Sequence, residues 1–509
     1  MKAAIITKTA KGNQYAYFRN KNELSLSHPL LAYMVELHNN GVNLDQWKKN
    51  LESKGSTITF AECGTFKKNE IDYYYKKFRI LEQNNYFPLG DEENKVDARI
   101  KPEAVKKSLA NIKQVTFEVT DRCGLSCLYC AYGPLYRDYD RRENKLLAPA
   151  SAKSLLNYLS GYWNSSSNIS HDRNIYIGFY GGEPLQNISF IREIVGHVKR
   201  MKMQHNRFTF AITTNALLLE KNMDFLVENN FNLLISLDGD REGNSYRVLK
   251  NGEPAYPHII RNVKALREKY PDYFKNKVNF NAVHHKKNTV EGLFTYFREN
   301  FGKVPVISEV STYGIHPEKK EEFLKTYSNI TRNMLQSGNY AELEQELFIN
   351  LPAVRSMSIF IHHYGGCTFR DYPALVYPHK KAQNLPTGTC FPFSRKLFLT
   401  VNGKILPCET IGHSHALGYV DETRVELSPE GIADYYNRNF DEIRRMCRHC
   451  YKLKTCLECL FNMKFENGKP GCRNFYSYDQ FSRFLSEHIS YLESNPRLYT
   501  RIMKEVVVD

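Results

Sequence analysis

Tryptophan is almost missing from this 509-residue chain, with two copies against 34 tyrosines and 30 phenylalanines. No stretch of 18 apolar residues occurs, so no membrane-spanning helix is expected. The start, Met1 to Gln14, offers only a short apolar run from Ala3 to Ile6. That run is too short for the core of a signal peptide. Internal repeats and low-complexity tracts are absent. So is a long basic tail: the formal charge of 70 − 55 = +15 is scattered in short patches such as Lys106-Lys107 and Lys319-Lys320. A basic surface can attract nucleic acid, anionic lipid or an acidic peptide. Scattered patches read instead as a solvated surface, so nucleic acid is disfavoured as a partner. A cytoplasmic location follows by default, with no membrane partner.

What the chain does have is cysteine, twelve copies. In a cytoplasmic protein these argue for metal or redox chemistry rather than disulfides. They are grouped: Cys123, Cys127 and Cys130 come first, then Cys367, Cys390, Cys408, Cys447, Cys450, Cys456, Cys459 and Cys472. Cys63 stands apart and reads as an incidental or buried thiol.

The length suggests about three domains. Residues 1–90 look like a separate unit, with a strand over Tyr15 to Arg19 and helices over His28 to Asn39 and Lys68 to Asn85. Residues 89–105 are charged and without periodicity, so 91–111 is read as a linker. From Val115 strands and helices alternate. Strand candidates are Val115 to Thr120, Ile175 to Tyr180, Phe208 to Thr213, Phe231 to Leu237, Val278 to Val283 and Val304 to Val310. Helical patterns between them include Ala152 to Tyr162, Phe190 to Met201, His258 to Lys269 and Val290 to Phe301. This alternation predicts an α/β fold with parallel strands, a partial (β/α)6 barrel over 112–330, with a complete eight-stranded barrel as the alternative. Residues 331–385 read as a helical bridge. Residues 386–509 are cysteine-rich and end in a helix near Tyr478 to Leu492.

The segment Cys123-Gly-Leu-Ser-Cys127-Leu-Tyr-Cys130 follows the first barrel strand. Three thiolates in eight residues can hold three irons of a [4Fe–4S] cubane and leave the fourth open. Zinc usually takes four ligands in paired knuckles, and this loop supplies three, unpaired. The CX3CX2C spacing, with Tyr129 before the last cysteine, resembles the signature of the radical S-adenosylmethionine (SAM) superfamily. Other motifs agree with that resemblance. Gly181-Gly182-Glu183-Pro184 ends the second strand, where the family contacts the SAM amino group. Thr214-Asn215 ends the third, and Ser236-Leu237-Asp238-Gly239 ends the fourth, with Arg247 beyond it. The resemblance implies that Tyr129 lies against adenine. It also implies that Gly181, Gly182, Glu183, Asn215, Ser236, Asp238 and Arg247 take part in binding SAM. Asp238-Gly239 is also a good turn, and Arg247 could be a surface residue. All these positions fall at C-terminal strand ends, where β/α folds build active sites.

In the second group, twelve residues separate Cys390 from Gly403 and four more precede Cys408. Then come Cys447-X2-Cys450-X5-Cys456-X2-Cys459 and finally Cys472. This resembles the SPASM domain, with two residues rather than three between Cys456 and Cys459. The resemblance implies three [4Fe–4S] clusters in all, one for SAM and two auxiliary. Cys447, Cys450, Cys456 and Cys472 would hold auxiliary cluster II. Cys390, Cys408 and Cys459 would hold auxiliary cluster I, with Cys367 as candidate fourth ligand or else an open iron that could take a substrate thiolate. Zinc ribbons are the bland alternative for these cysteines.

Many SPASM proteins modify peptides, and residues 1–90 are similar to the winged-helix-like unit that grips a precursor's leader. The whole layout resembles ribosomal-peptide maturases of the Bacteroidetes type with Gly-Gly leaders. Leader binding would add a strand to a sheet edge, and an electron donor such as flavodoxin or ferredoxin is implied. The expected reaction is hydrogen abstraction followed by an intrapeptide crosslink, thioether favoured over carbon–carbon. Alternatives are a sulfatase-maturing, formylglycine-forming enzyme and a zinc-stabilised nucleic-acid-binding protein. Against the first, Tyr180 stands where that family has Gln, and residues 391–407 lack its extra cysteine. The catalytic group stays unassigned; Tyr180 and Asn281 are among many residues facing the expected end of the barrel.

Overall fold

The computed structural model describes residues 1–2, 4–87, 99–170, 173–347, 352–364, 385, 387–466 and 469–506. Cys367 lies outside them.

The N-terminal unit begins with an antiparallel sheet of β1 (Ala4–Lys8), β2 (Gln14–Phe18) and β3 (Glu23–Leu26), with β2 in the middle. Helices α1 (Pro29–Asn39) and α2 (Leu44–Lys49) come next, then the hairpin β4 (Thr57–Phe60) and β5 (Gly64–Lys67), then α3 (Lys68–Gln83). His28 was expected inside the first helix. It is instead the N-cap, its Nδ1 accepting from Leu30 N at 3.3 Å, because Pro29 fits the first helical turn. Four of the five strands escaped the sequence reading, being four or five residues long. Leu30, Leu31, Met34, Val35, Ile71 and Phe78 make this unit's own core.

The expected barrel strands are all present: β6 (Gln114–Thr120), β7 (Asn174–Gly181), β8 (Arg207–Thr214), β9 (Asn232–Ser236), β10 (Val278–His284) and β11 (Val306–Glu309). They pair in parallel in sequence order. Six strands in sequence order, not eight, form the barrel run. It stays open because the far edge of β6 pairs with β12 (Lys396–Leu399), which lies parallel to it, and not with β11, so seven strands of the sheet run parallel. From β12 the sheet continues antiparallel through β13 (Lys404–Leu406), β14 (Gly418–Val420) and β15 (Val425–Glu426). The cysteine-rich region is therefore built onto the barrel as four further strands of one ten-stranded sheet. A small hairpin, β16 (Lys464–Glu466) with β17 (Lys469–Gly471), lies outside it.

A single core spans both parts. It joins Phe117, Ile177, Ile212, Ile235 and Phe280 of the barrel to Leu397, Ile405, Ile432 and Tyr436 downstream. The expected linker is corrected here: Pro102–Ala110 is a helix, and its Val105 and Leu109 are fully buried in that core. One i, i+4 apolar pair is too little periodicity to show in the sequence. At the other end, the helix Tyr478–Ser494 packs on β1. Ser482 Oγ donates to Ile6 O at 2.9 Å, and Thr7 Oγ1 donates to Ser482 O at 2.8 Å. One edge of the N-terminal sheet is thus covered, and β3 forms the other.

Candidate active site

A cavity of about 1370 Å³ runs the length of the six parallel strands. Its lining reaches from Gln114, Asn232 and Val278 at the strand starts to Gly181, Asn215 and Ser236 at their ends. It stays wide because the inward positions Thr116, Gly178 and Ala211 carry small side chains.

Cys123, Cys127 and Cys130 line the C-terminal end of this cavity. Their loop is held by backbone bonds to the segment beyond β9: Ser126 N donates to Val248 O at 2.8 Å, and Leu128 N to Tyr246 O at 3.1 Å. Three nitrogens approach the sulfurs. Leu125 N lies 3.4 Å and Asn215 Nδ2 3.6 Å from Cys123 Sγ, and Arg142 Nη2 lies 3.8 Å from Cys130 Sγ. Burial pushes the Cys127 thiol up to about 12; Arg247 works against this, and Cys130 and Cys123 add to it by repulsion. Such buried thiols become good ligands only when a metal replaces the proton.

The same mutual repulsion sorts the downstream cysteines. Burial raises Cys447 to about 12, and Cys456, Cys450 and Cys472 raise it further. Burial raises Cys459 to about 11, with Cys390 and Cys408 as its thiol neighbours. Three sets of thiols result: 123/127/130, 390/408/459 and 447/450/456/472. Among the described residues no group of three His, Cys, Asp or Glu converges as a single metal ion would require. The thiols of a cubane stand farther apart, with irons and sulfides between them. The three sets fit such clusters in number and chemistry.

The Gly-Gly turn is set by contact with the end of β6 and the residues that lead into the cysteine loop. Gly181 has φ of +121°, and a Cβ on Gly182 would stand 2.0 Å from Arg122 O. Only glycine fits there. Gly182→Ala must push the turn off the loop. Glu183 lies behind the turn, almost fully buried. Its carboxylate takes Thr214 Oγ1 at 2.7 Å, Asn215 N at 2.8 Å and Leu185 N at 3.1 Å. Burial raises it to about 7 against those bonds. Glu183 thus ties the turn after β7 to the end of β8, and Gly181, Gly182 and Asn215 face the cavity.

Tyr129, Ser236 and Arg247 also line the cavity, and Asp238 sits behind them. Arg247 grips Asp238 through two bonds, Nε to Oδ2 at 2.8 Å and Nη2 to Oδ1 at 3.1 Å. The Tyr129 hydroxyl donates to the same carboxylate, and Val283 N donates at 2.9 Å. Burial alone would raise Asp238; Arg247, His285 and Tyr129 together hold it at about 2. Arg247 is therefore a buried, paired cation rather than a surface residue. The tyrosine of the cysteine loop is tied through Asp238 to the strands β9 and β10.

Tyr180 and Asn281 line the cavity as expected. So do three residues the sequence reading passed over: Tyr132, Arg142 and Glu409. Glu409 directly follows Cys408, a signal that was available. Its Oε1 takes Lys396 Nζ at 2.8 Å. The other carboxylate in the lining, Glu309, is used structurally, accepting from Ile330 N at 2.6 Å. Cys63 packs in the N-terminal core, away from the cavity.

Comparison with known proteins agrees with this geometry. The radical SAM superfamily model matches residues 117–297. The radical SAM cyclopropyl synthase TigE of Paramaledivibacter caminithermalis is 22% identical over 459 residues, 86% of this chain and 86% of TigE. The cysteine-type anaerobic sulfatase-maturating enzyme of Clostridium novyi is 22% identical over 389 residues, 73% of this chain and 94% of that protein. The solved structure of native anSMEcpe with bound AdoMet and Kp18Cys peptide superposes with a TM-score of 0.51 at 17% identity, over 77% of this chain and 99% of that one. The two share a fold.

Proposed function

We propose that this chain, whose residues 117–297 match the radical SAM superfamily model, is a radical SAM peptide maturase that crosslinks a ribosomally made precursor. The thioether is favoured over a carbon–carbon bond. The observation that carries the reading is one cavity walled at its C-terminal end by Cys123, Cys127 and Cys130 and elsewhere by Glu409 and Thr410, the residues after Cys408. In this reading the first three cysteines hold the SAM cluster. Cys390, Cys408 and Cys459 hold one auxiliary cluster, and Cys447, Cys450, Cys456 and Cys472 hold the other. When bound, the SAM cluster and SAM supply the 5′-deoxyadenosyl radical that removes hydrogen from the peptide.

The chain's own residues do the rest. Gly181, Gly182, Asn215, Ser236, Arg247 and Tyr129 wall the SAM pocket. Glu409 takes the proton released on crosslinking, from a substrate held between the two ends of the cavity, and the electron released with it would pass to the auxiliary cluster that Cys390, Cys408 and Cys459 would hold. The leader adds to β3, the edge strand of the N-terminal sheet, which pairs with no further strand among the described residues. The sulfatase-maturating reading has its support in the second relative, which aligns over nearly its whole length.

The test is anaerobic incubation of the reconstituted enzyme with SAM, a low-potential reductant and short precursor peptides encoded nearby. A crosslinked product has lost two hydrogens; formylglycine from cysteine has lost its sulfur. Peptide recovered unchanged while a sulfatase peptide is converted would overturn the crosslinking reading. Glu409→Gln is expected to slow product formation by about 10²–10⁴-fold. It should leave 5′-deoxyadenosine formation intact, both read by chromatography of one reaction.

A further inference from the structure

We infer that the β12–β13 hairpin raises the reduction potential of the cluster at Cys123, Cys127 and Cys130, and that it does so through Arg142. This rests on the cluster assignment above. No ion pair joins Arg142 to a carboxylate among the described residues. Its guanidinium lies over the Tyr132 ring, 4.5 Å from the centroid, with Nη2 at 3.8 Å from Cys130 Sγ. Its Nε is buried without a partner. A half-buried cation outside ion-pair distance of any carboxylate among the described residues, set beside Cys130 and Cys123, finds its counter-charge in the thiolates and their cluster, with the buried Glu118 feeling its charge from farther off. A cluster gains one negative charge on reduction. A fixed positive charge and an N–H donor at a ligand sulfur therefore favour the reduced form.

The position of Arg142 is set by the hairpin next to β6. Two residues earlier, Asp140 is clamped by the hairpin and by His413 beyond it. Lys404 Nζ donates to Asp140 Oδ1 at 2.6 Å and Asn402 Nδ2 to Oδ2 at 3.0 Å, and His413 Nδ1 lies 3.3 Å from Oδ2. His413 N donates to Asp138 O at 2.8 Å, and Lys145 Nζ to Asn402 Oδ1 at 3.0 Å. Residues 402–413 include Cys408. The same stretch that supplies an auxiliary ligand thus seats the segment bearing Arg142. A hairpin out of place leaves the SAM cluster harder to reduce, which withholds radical formation from an incomplete site.

The test is a redox titration of the reconstituted enzyme followed by electron paramagnetic resonance, with no peptide present. Arg142→Met is expected to lower the reduced-to-oxidised ratio about tenfold at the wild-type midpoint, a shift of ~59 mV to more negative potential for one electron. Arg142→Lys should recover part of it. Two variants separate position from charge. Asp140→Ala removes a negative charge, so a direct effect would raise the potential, whereas release of Arg142 lowers it. Asn402→Ala is neutral to neutral and must also lower it. Neither, combined with Arg142→Met, should lower it further than Arg142→Met alone. An unchanged potential in Arg142→Met, an upward shift in Asp140→Ala, or additive doubles would overturn the inference. A wild type with no reducible SAM cluster would instead overturn the functional reading beneath it.

Discussion

Replacing Cys123, Cys127 and Cys130 together by alanine will remove about four irons per chain and abolish 5′-deoxyadenosine formation. The three thiols share one loop and one end of the cavity, and among the described residues no other thiol set lines that end. Losing all three leaves nothing to anchor a cubane there. The matched experiment replaces Cys447 and Cys450. Both are buried, and both lie in the set with Cys456 and Cys472. That variant should also lose about four irons, yet keep SAM cleavage, because its cysteines do not line the cavity. Iron and sulfide assays with chromatographic detection of 5′-deoxyadenosine read both outcomes. Equal loss of cleavage in the two variants would mean that the sets do not hold separate clusters. Stoichiometric zinc in the wild type would restore the binding-protein alternative.

The second large effect is on stability. Asp238→Ala is expected to cost about 3–5 kcal/mol, because it leaves a buried guanidinium without its partner. Asp238 is fully buried and Arg247 nearly so. The carboxylate also collects the Tyr129 hydroxyl and Val283 N, so one deletion strands four donor groups on three residues. Asp238→Asn keeps an acceptor and the volume but not the charge, and should fall between. Denaturant unfolding under anaerobic conditions reads the loss. A change below about 1 kcal/mol would show that the pair contributes no more than an exposed one.

The barrel was legible because its strands are apolar on at least one face and its helices repeat at the helical period. The expected bounds of its six strands fall within two residues of those observed, and Val290–Phe301 coincides with the helix found. The short N-terminal strands were not legible, because four residues cannot establish an alternation. The cysteine spacing pointed to a loop that lines the cavity, and the strand-end motifs led to the same place. What spacing could not show is which polar groups face inward. Glu183 and Asp238 both belong to motifs, yet both stand behind the lining and brace it. Glu409 and Arg142 belong to no motif and face the cavity. That distinction depends on side-chain direction across strands far apart in the chain, which local sequence does not encode.

The joining of β12 to β6 has a consequence for how the chain is made. Gln114 pairs with Lys396, which leaves the ribosome 396 − 114 = 282 residues later. At roughly 5–20 residues per second, that edge of the sheet waits on the order of 15–60 s for its partner. An open strand edge is a template for pairing with another chain. The first strand of the barrel, which carries the cysteine loop at its end, is thus exposed for most of the chain's synthesis. Slow translation or crowding of nascent copies should trap this protein in aggregates more readily than a barrel closed by its own neighbouring strands.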